Sequence, residues 1–77
     1  MEVTIKYFGS LAEVTRCEEE NLFFSGSYIS ELLDFLYTKY SGLKDKEFQV
    51  AQNTELVSLI DKLTGNQIVL LPPFAGG

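Results

Sequence analysis

Residues 27–40 of this 77-residue chain read SYISELLDFLYTKY, and this stretch decides the fold. Its apolar residues recur at intervals of three and four, the spacing of one face of an α-helix about three turns long. The members of that face are Ile29, Leu32, Leu33, Leu36, Tyr37 and Tyr40. We predict Ser27 as the N-cap of this helix and Ser41-Gly42 as its stop. Glu31 near the start and Lys39 near the end suit the helix dipole.

Strand-like segments precede this helix. Alternation of polar and apolar residues predicts a first strand over residues 2–7, and residues 11–14 fit a helical turn behind it. Residues 21–24 predict a second strand. The acidic residues 18–20 are either the start of that strand or a solvated bend.

Three short strands are predicted beyond the helix. Residues 48–52 form the first, and a turn at Asn53-Thr54 leads into a short piece at Leu56-Val57. A turn at residues 64–66 precedes the last strand, which reads QIVLL over residues 67–71. Its apolar run without alternation predicts a central strand that is covered on both faces.

Elements in this order predict an α+β domain with two layers. We expect a mixed sheet of four to five strands wrapped around one main helix, with the first and last strands parallel neighbours. That architecture is the β-grasp, or ubiquitin-like, fold. The prediction is a single domain spanning residues 1–77, from which residues 72–77 protrude as an extended tail.

Composition limits the function. Eleven acidic residues against six basic ones give a net charge of −5, which disfavours binding to nucleic acid or anionic membranes. The charge fits docking onto a more basic protein, or it serves solubility alone. The first residues lack the basic and apolar regions of a signal peptide, so we expect a cytoplasmic protein.

The body of the chain offers no catalytic centre. It has no histidine to act as an acid or base near neutral pH, and its serines lack an obvious activator. Cys17 is interpreted as a packing or incidental surface residue, and the carboxylates as solvated charge. We predict no metal site and no bound cofactor.

The tail is therefore the predicted active element. Residues 71–77 read LPPFAGG. Pro72 and Pro73 lack an N–H group and favour a stiff, extended departure from the sheet. The five residues from Pro73 onward reach roughly 17 Å, at about 3.3 Å per residue. Gly76 and Gly77 then present almost no bulk, so the terminal carboxylate can pass through a narrow channel. The alternative is a frayed end that happens to finish in two glycines.

Residues 70–77, LLPPFAGG, resemble the apolar-Pro-Pro-x-x-Gly-Gly ending of the molybdopterin synthase small subunit family (MoaD), one of the MoaD/ThiS ubiquitin-like sulfur carriers. Residues 7–13 (YFGSLAE) and 50–57 (VAQNTELV) are similar to that family as well. There are two departures. Phe74 stands where the family commonly has a smaller valine, and the turn at residues 63–66 lacks the usual acidic residue.

The resemblance implies a shuttle. A ubiquitin-activating-type enzyme would adenylate the Gly77 carboxylate, and a sulfur-donating protein would convert it to a thiocarboxylate. The synthase large subunit, in a heterotetramer, would then use this sulfur on cyclic pyranopterin monophosphate in molybdenum cofactor biosynthesis. The chain itself would be a non-catalytic subunit, with Gly77 and Gly76 as its site residues because a Cβ would obstruct close approach.

Apolar residues near the tail are candidate docking residues, since interface hot spots favour aromatic side chains. A core position is the alternative for Phe8. The candidates are Phe8, Pro72, Pro73, Phe74 and Ala75.

Three other functions fit the same pattern. One is the thiazole-synthesis sulfur carrier, although those chains are usually shorter and do not typically have Pro-Pro before the tail. Another is a carrier for transfer-RNA thiolation or a modifier that joins lysines through Gly77. The third is a β-grasp interaction module with no covalent chemistry.

Overall fold

The computed structural model describes residues 1–64 and 67–73. The predicted turn at Gly65-Asn66 and the tail from Phe74 to Gly77 lie outside the described residues. The elements are β1 (Glu2–Tyr7), α1 (Ser10–Thr15), β2 (Glu19–Phe23), α2 (Ile29–Lys39), a 3-10 helix (Ser41–Asp45), β3 (Gln49–Gln52), β4 (Glu55–Val57) and β5 (Gln67–Leu71).

The strands form one mixed sheet in the order β2-β1-β5-β3-β4. β1 and β5 are parallel, and the other neighbouring strands are antiparallel. The helix α2 covers one face of this sheet. The predicted β-grasp arrangement is confirmed, including the central position of the last strand and its parallel pairing with the first.

The core lies between α2 and the inner face of the sheet. Every second residue of β1 and β5 points into it because side chains alternate along a strand. The fully or almost fully buried members from these three elements are Val3, Ile5, Tyr7, Ile29, Leu32, Leu33, Leu36, Ile68 and Leu70. They include four of the six residues on the predicted helix face; Tyr37 and Tyr40 are half-buried.

One prediction for β5 is wrong. Its residues alternate between buried and half-buried, so Val69 and Leu71 are not covered as Ile68 and Leu70 are. The reason is that α2 packs on one face only, and no second layer lies on the other face in the described part of the chain. Continuous apolar sequence here marks a central strand with a half-exposed outer face.

The start of α2 also differs from the prediction. Tyr28 is the N-cap instead of Ser27. The Glu31 carboxylate provides the capping contact, because its Oε1 accepts the N–H groups of Ser27 at 2.7 Å and Tyr28 at 2.9 Å. These two hydrogen bonds lower the pKa of Glu31. The helix ends at Lys39, close to the predicted stop.

The segment between α2 and β3 contains a 3-10 helix, and Leu43 within it is completely buried. The turn predicted at Asn53-Thr54 is confirmed. Both residues have positive φ, 50° and 72°, as the tight two-residue hairpin turns require. Among the described residues, no helix has both the length and the apolar character needed to cross a bilayer.

Candidate functional site: the tail exit and the outer sheet face

The central strand delivers the chain to the point where it leaves the domain. Leu71 is the last residue of β5 and pairs with Gln49 of β3. Pro72 is still half-buried, whereas Pro73 is exposed. The chain therefore leaves the surface of the body between the two prolines, whose rings fix φ and make this step stiff.

Gly9, in the loop between β1 and α1, lies directly against Pro72. A Cβ placed on Gly9 would stand 2.9 Å from Pro72 Cγ, closer than side-chain carbons normally approach. The N–H of Phe8 donates to the Leu70 carbonyl at 3.2 Å, which ties the same loop to the end of β5. We call the contact of Gly9 with Pro72 the exit seat. Sequence reasoning missed Gly9 as a site residue, because its partner comes from the far end of the chain.

Phe8 is exposed beside this exit. Its exposed fraction is 48%, so the alternative of a core position for this residue is wrong. It lines an open groove of about 460 Å³ together with Lys6, Gly9, Glu18 and Glu19. A large aromatic ring that remains exposed next to a strand end is available for contact with another protein.

The outer face of the sheet continues this apolar surface. Val69 lies opposite Ala51, and Ala51 lies opposite Leu56, so the three side chains form a row across β5, β3 and β4. Leu56 is 60% exposed. Leu71 lies on the same face, next to the exit. Ala51, in the middle of the row, is buried. We call Phe8, Leu56, Val69 and Leu71 the outer patch.

A polar cluster lies on the inner side of the same sheet. Glu20 of β2 accepts hydrogen bonds from Lys39 Nζ at 2.6 Å, from the Tyr7 hydroxyl at 3.2 Å and from the Tyr40 hydroxyl. The rings of Tyr7 and Tyr40 meet edge to face, with their centroids 6.0 Å apart. The cluster joins the end of α2 to β1 and β2, so Glu20 is an exception to the prediction that the carboxylates are merely solvated.

The charge state of this cluster follows from its contacts. Burial raises the pKa of Glu20, but the hydrogen bonds from Lys39 and Tyr40 outweigh it, and the net pKa of Glu20 is lowered. Burial, then the neighbouring Glu20, raises the pKa of Tyr7 and of Tyr40. At neutral pH the cluster therefore holds one ionised carboxylate and two neutral phenols.

Cys17 supports the packing interpretation. Its side chain is half-buried against the core, and its Sγ lies 3.5 Å from Glu20 Oε2. Within residues 1–64 and 67–73, no three histidine, cysteine, aspartate or glutamate side chains come together as a metal site would require.

The structure brings three of the predicted site residues together. Phe8, Pro72 and Pro73 lie at one end of the β1–β5 pair. Phe74, Ala75, Gly76 and Gly77 lie outside the described residues, so their predicted roles stay predictions.

Comparison with solved structures identifies the fold of this domain. A Pyrococcus furiosus protein assigned as molybdopterin converting factor, subunit 1, superposes with a TM-score of 0.86 at 20% identity, over 95% of this chain and 98% of that one. SAMP1 from Haloferax volcanii, a small archaeal modifier protein, superposes with a TM-score of 0.80 at 26% identity over the whole of both chains.

A third similar structure is a protein–protein complex of subunits 1 and 2 of the molybdopterin-converting factor from Helicobacter pylori. The matched chain is 33% identical over the full length of both chains, with a TM-score of 0.67. These likenesses define a ubiquitin-like domain with the sulfur-carrier fold. The ThiS family matches residues 5–77, which is nearly all of the sequence. The chain belongs to the ThiS family.

Proposed function

We propose that this protein is the sulfur-carrying small subunit of a molybdopterin synthase. The observation that carries the proposal is the 33% identity, over the whole of both chains, to a chain in the complex of subunits 1 and 2 of the Helicobacter pylori molybdopterin-converting factor. Family membership that extends through Gly77 supports it. So does a sequence that follows the central strand with Pro-Pro and closes on two glycines.

The chemistry resides at the Gly77 carboxylate. A free carboxylate is a poor acyl donor, so it first attacks the α-phosphorus of ATP and forms an acyl adenylate with release of pyrophosphate. A sulfur nucleophile then attacks the acyl carbon, AMP leaves, and a thiocarboxylate remains. In the large subunit this sulfur passes to cyclic pyranopterin monophosphate, and the carboxylate is regenerated. The catalytic side chains belong to the partners.

The body of the domain serves as the docking surface. The outer patch is apolar, borders the exit and includes the exposed ring of Phe8. Interfaces place aromatic and aliphatic anchors at their centre and charge at their rim. Lys6, Glu18 and Glu19 lie beside Phe8 in that arrangement. The partner is a protein, since the net charge of −5 disfavours polyanions.

The first test is intact-mass spectrometry of the protein after incubation with ATP, its cognate activating enzyme and hydrosulfide. We expect the mass gain of one oxygen replaced by sulfur, and none in a variant that lacks Gly77. Gly77→Ala should fold normally but lose most of the adenylation, because its Cβ obstructs close approach. Wild-type activity in Gly77→Ala, or no gain in the wild type with a demonstrably active enzyme, would overturn the proposal.

A second candidate function is protein modification. It is favoured by the similarity to SAMP1, a small archaeal modifier protein. Activation at Gly77 is then the same, but the acyl group passes to a lysine amine. Adding the synthase large subunit and the pyranopterin precursor separates the two. Dithiolene formation supports the synthase, whereas isopeptide-linked conjugates without dithiolene formation support the modifier.

A further inference from the structure

Gly9 has a backbone conformation that other residues rarely adopt. The Leu11 N–H donates to the Phe8 carbonyl at 3.1 Å and closes a turn over residues 8–11. Gly9 occupies the first central position of this turn, with φ 60° and ψ −135°. These angles match the first central residue of a type II′ turn, where glycine dominates because it has no Cβ.

The same glycine leaves room for the chain that departs from the sheet. A Cβ on Gly9 would stand 2.9 Å from Pro72 Cγ and 3.9 Å from Pro72 Cδ. The ring of Pro72 therefore rests on the bare backbone of Gly9. An added methyl group would have to push the ring away, and a pyrrolidine ring has little freedom to yield without moving its own backbone.

The backbone at Pro72 and Pro73 is stiff. Pro72 has its φ fixed by its ring, and Pro73 restricts the ψ of Pro72 to extended values. Two successive prolines favour a stiff extended backbone. Pro72 is also half-buried while Pro73 is exposed, so the exit seat lies where the departing chain becomes exposed.

We propose that Gly9 is a positioning residue for the tail. By receiving the ring of Pro72 it sets the direction in which the chain leaves the domain, and this direction affects delivery of the tail to a partner's active site. This inference rests on the proposed function and adds a residue, distant in sequence from the tail, that controls its reactivity.

The test is the steady-state kinetics of carrier adenylation, followed by pyrophosphate release, with the cognate activating enzyme. The carrier is the varied substrate. Gly9→Ala replaces no residue of the outer patch, so we expect KM to change little. We expect kcat to fall about 10- to 100-fold, because small misplacements of reacting groups cost that much.

Gly26→Ala is the matched control. A Cβ on Gly26 would stand 2.4 Å from a ring carbon of Phe24, so this variant also carries a steric conflict. It lies at the other end of the sheet, where the Phe24 N–H binds the Met1 carbonyl. Loss of folded carrier lowers the effective substrate concentration. Such a merely structural effect raises the apparent KM and leaves kcat unchanged, which is the result expected for Gly26→Ala.

Pro72→Ala supplies an independent variant. It removes the ring that Gly9 receives, so we expect kcat to fall in this variant as well. In the Pro72→Ala background, Gly9→Ala should lower kcat much less than it does in the wild type, because the effects of substitutions at two contacting residues are not additive. Circular dichroism reports whether each variant folds. If Gly9→Ala does not fold, the proposal is tested by Pro72→Ala alone, for which the same fall in kcat is expected.

The outcomes separate this inference from the proposed function. A fall in kcat for Gly9→Ala and Pro72→Ala, without one for Gly26→Ala, supports the exit seat. An unchanged kcat in Gly9→Ala overturns the proposed role of the exit seat. If Gly9→Ala does not fold, an unchanged kcat in Pro72→Ala overturns it instead. In both cases the proposed sulfur-carrier function still stands. A wild-type protein that an active cognate enzyme does not adenylate overturns both.

Discussion

The two faces of β5 differ although the strand is apolar throughout. Ile68 and Leu70 point toward α2 and are completely buried, whereas Val69 and Leu71 point the other way and remain half-exposed. The inner residues are fixed by packing against the helix. The outer residues do not pack against the helix, so they are available for contact with another protein. The fold and the proposed docking function therefore use alternate residues of the same strand.

The largest expected effect tests the inner face. Leu70→Ala should lower the free energy of unfolding by about 2–5 kcal/mol, because it removes a fully buried side chain and leaves a cavity. Val69→Ala, its outer neighbour, should cost less than about 1.5 kcal/mol. Urea denaturation followed by circular dichroism measures both. Equal losses would contradict the division between the two faces.

The second-largest effect on the free energy of unfolding is expected in the polar cluster around Glu20. Glu20→Gln should cost about 1–3 kcal/mol at neutral pH, since it weakens hydrogen bonds to an ionised, half-buried group. The folded-state pKa of Glu20 is below its ordinary value of 4.5. Its contribution to stability is therefore present above pH 4.5 and is lost as the pH falls through the lowered pKa.

The measurement is the free energy of unfolding of wild type and Glu20→Gln at neutral and at acidic pH. The difference between them should close on acidification. A difference that does not depend on pH would show that the glutamine acts through packing instead of charge.

The outer face is tested by partner affinity instead of stability. Phe8→Asp should weaken binding to the activating enzyme or to the synthase large subunit by about tenfold or more, with little change in stability. Phe23→Asp is the matched control, because Phe23 is 81% exposed and lies toward the opposite end of the sheet. Isothermal titration calorimetry measures both. Equal weakening by the two variants would remove the outer patch from the proposal.

The smallest effect concerns the β3–β4 hairpin, which belongs to neither face. Thr54 is β-branched and has a φ of 72°, a conformation that costs such residues energy. Thr54→Gly creates the Asn-Gly pair that suits this turn and should raise the stability by up to about 1 kcal/mol. Thermal unfolding measures the gain. A loss would mean that the threonine makes a contact worth more than the strain.

Much of this architecture was predictable from the sequence because its periodicities reflect the core. The spacing of Ile29, Leu32, Leu33 and Leu36 predicted α2 and its buried face. The run at residues 67–71 predicted the central strand. The same run led to the wrong prediction that both faces of this strand are covered, because the sequence does not reveal how many layers pack on a sheet.

Other features depended on contacts that local patterns do not contain. Ser27 looked like the N-cap, but the carboxylate of Glu31 reaches back to the same N–H groups. Glu20 looked solvated within an acidic run, yet strand alternation turns it inward toward Tyr7 and Tyr40. Neither tyrosine is close to Glu20 in the sequence, so local patterns do not predict these contacts.

The parallel pairing of β1 with β5 links folding to the presentation of the tail. Gly9 follows the first strand and Pro72 follows the last, so the exit seat closes only after segments from opposite ends of the described chain have met. Such long-range pairing must overcome the entropy of closing a large loop, so the exit seat depends on the assembly of the whole sheet. A partly unfolded chain would have the tail but lack the exit seat. Under the proposed role of Gly9, only the folded domain directs the departing chain.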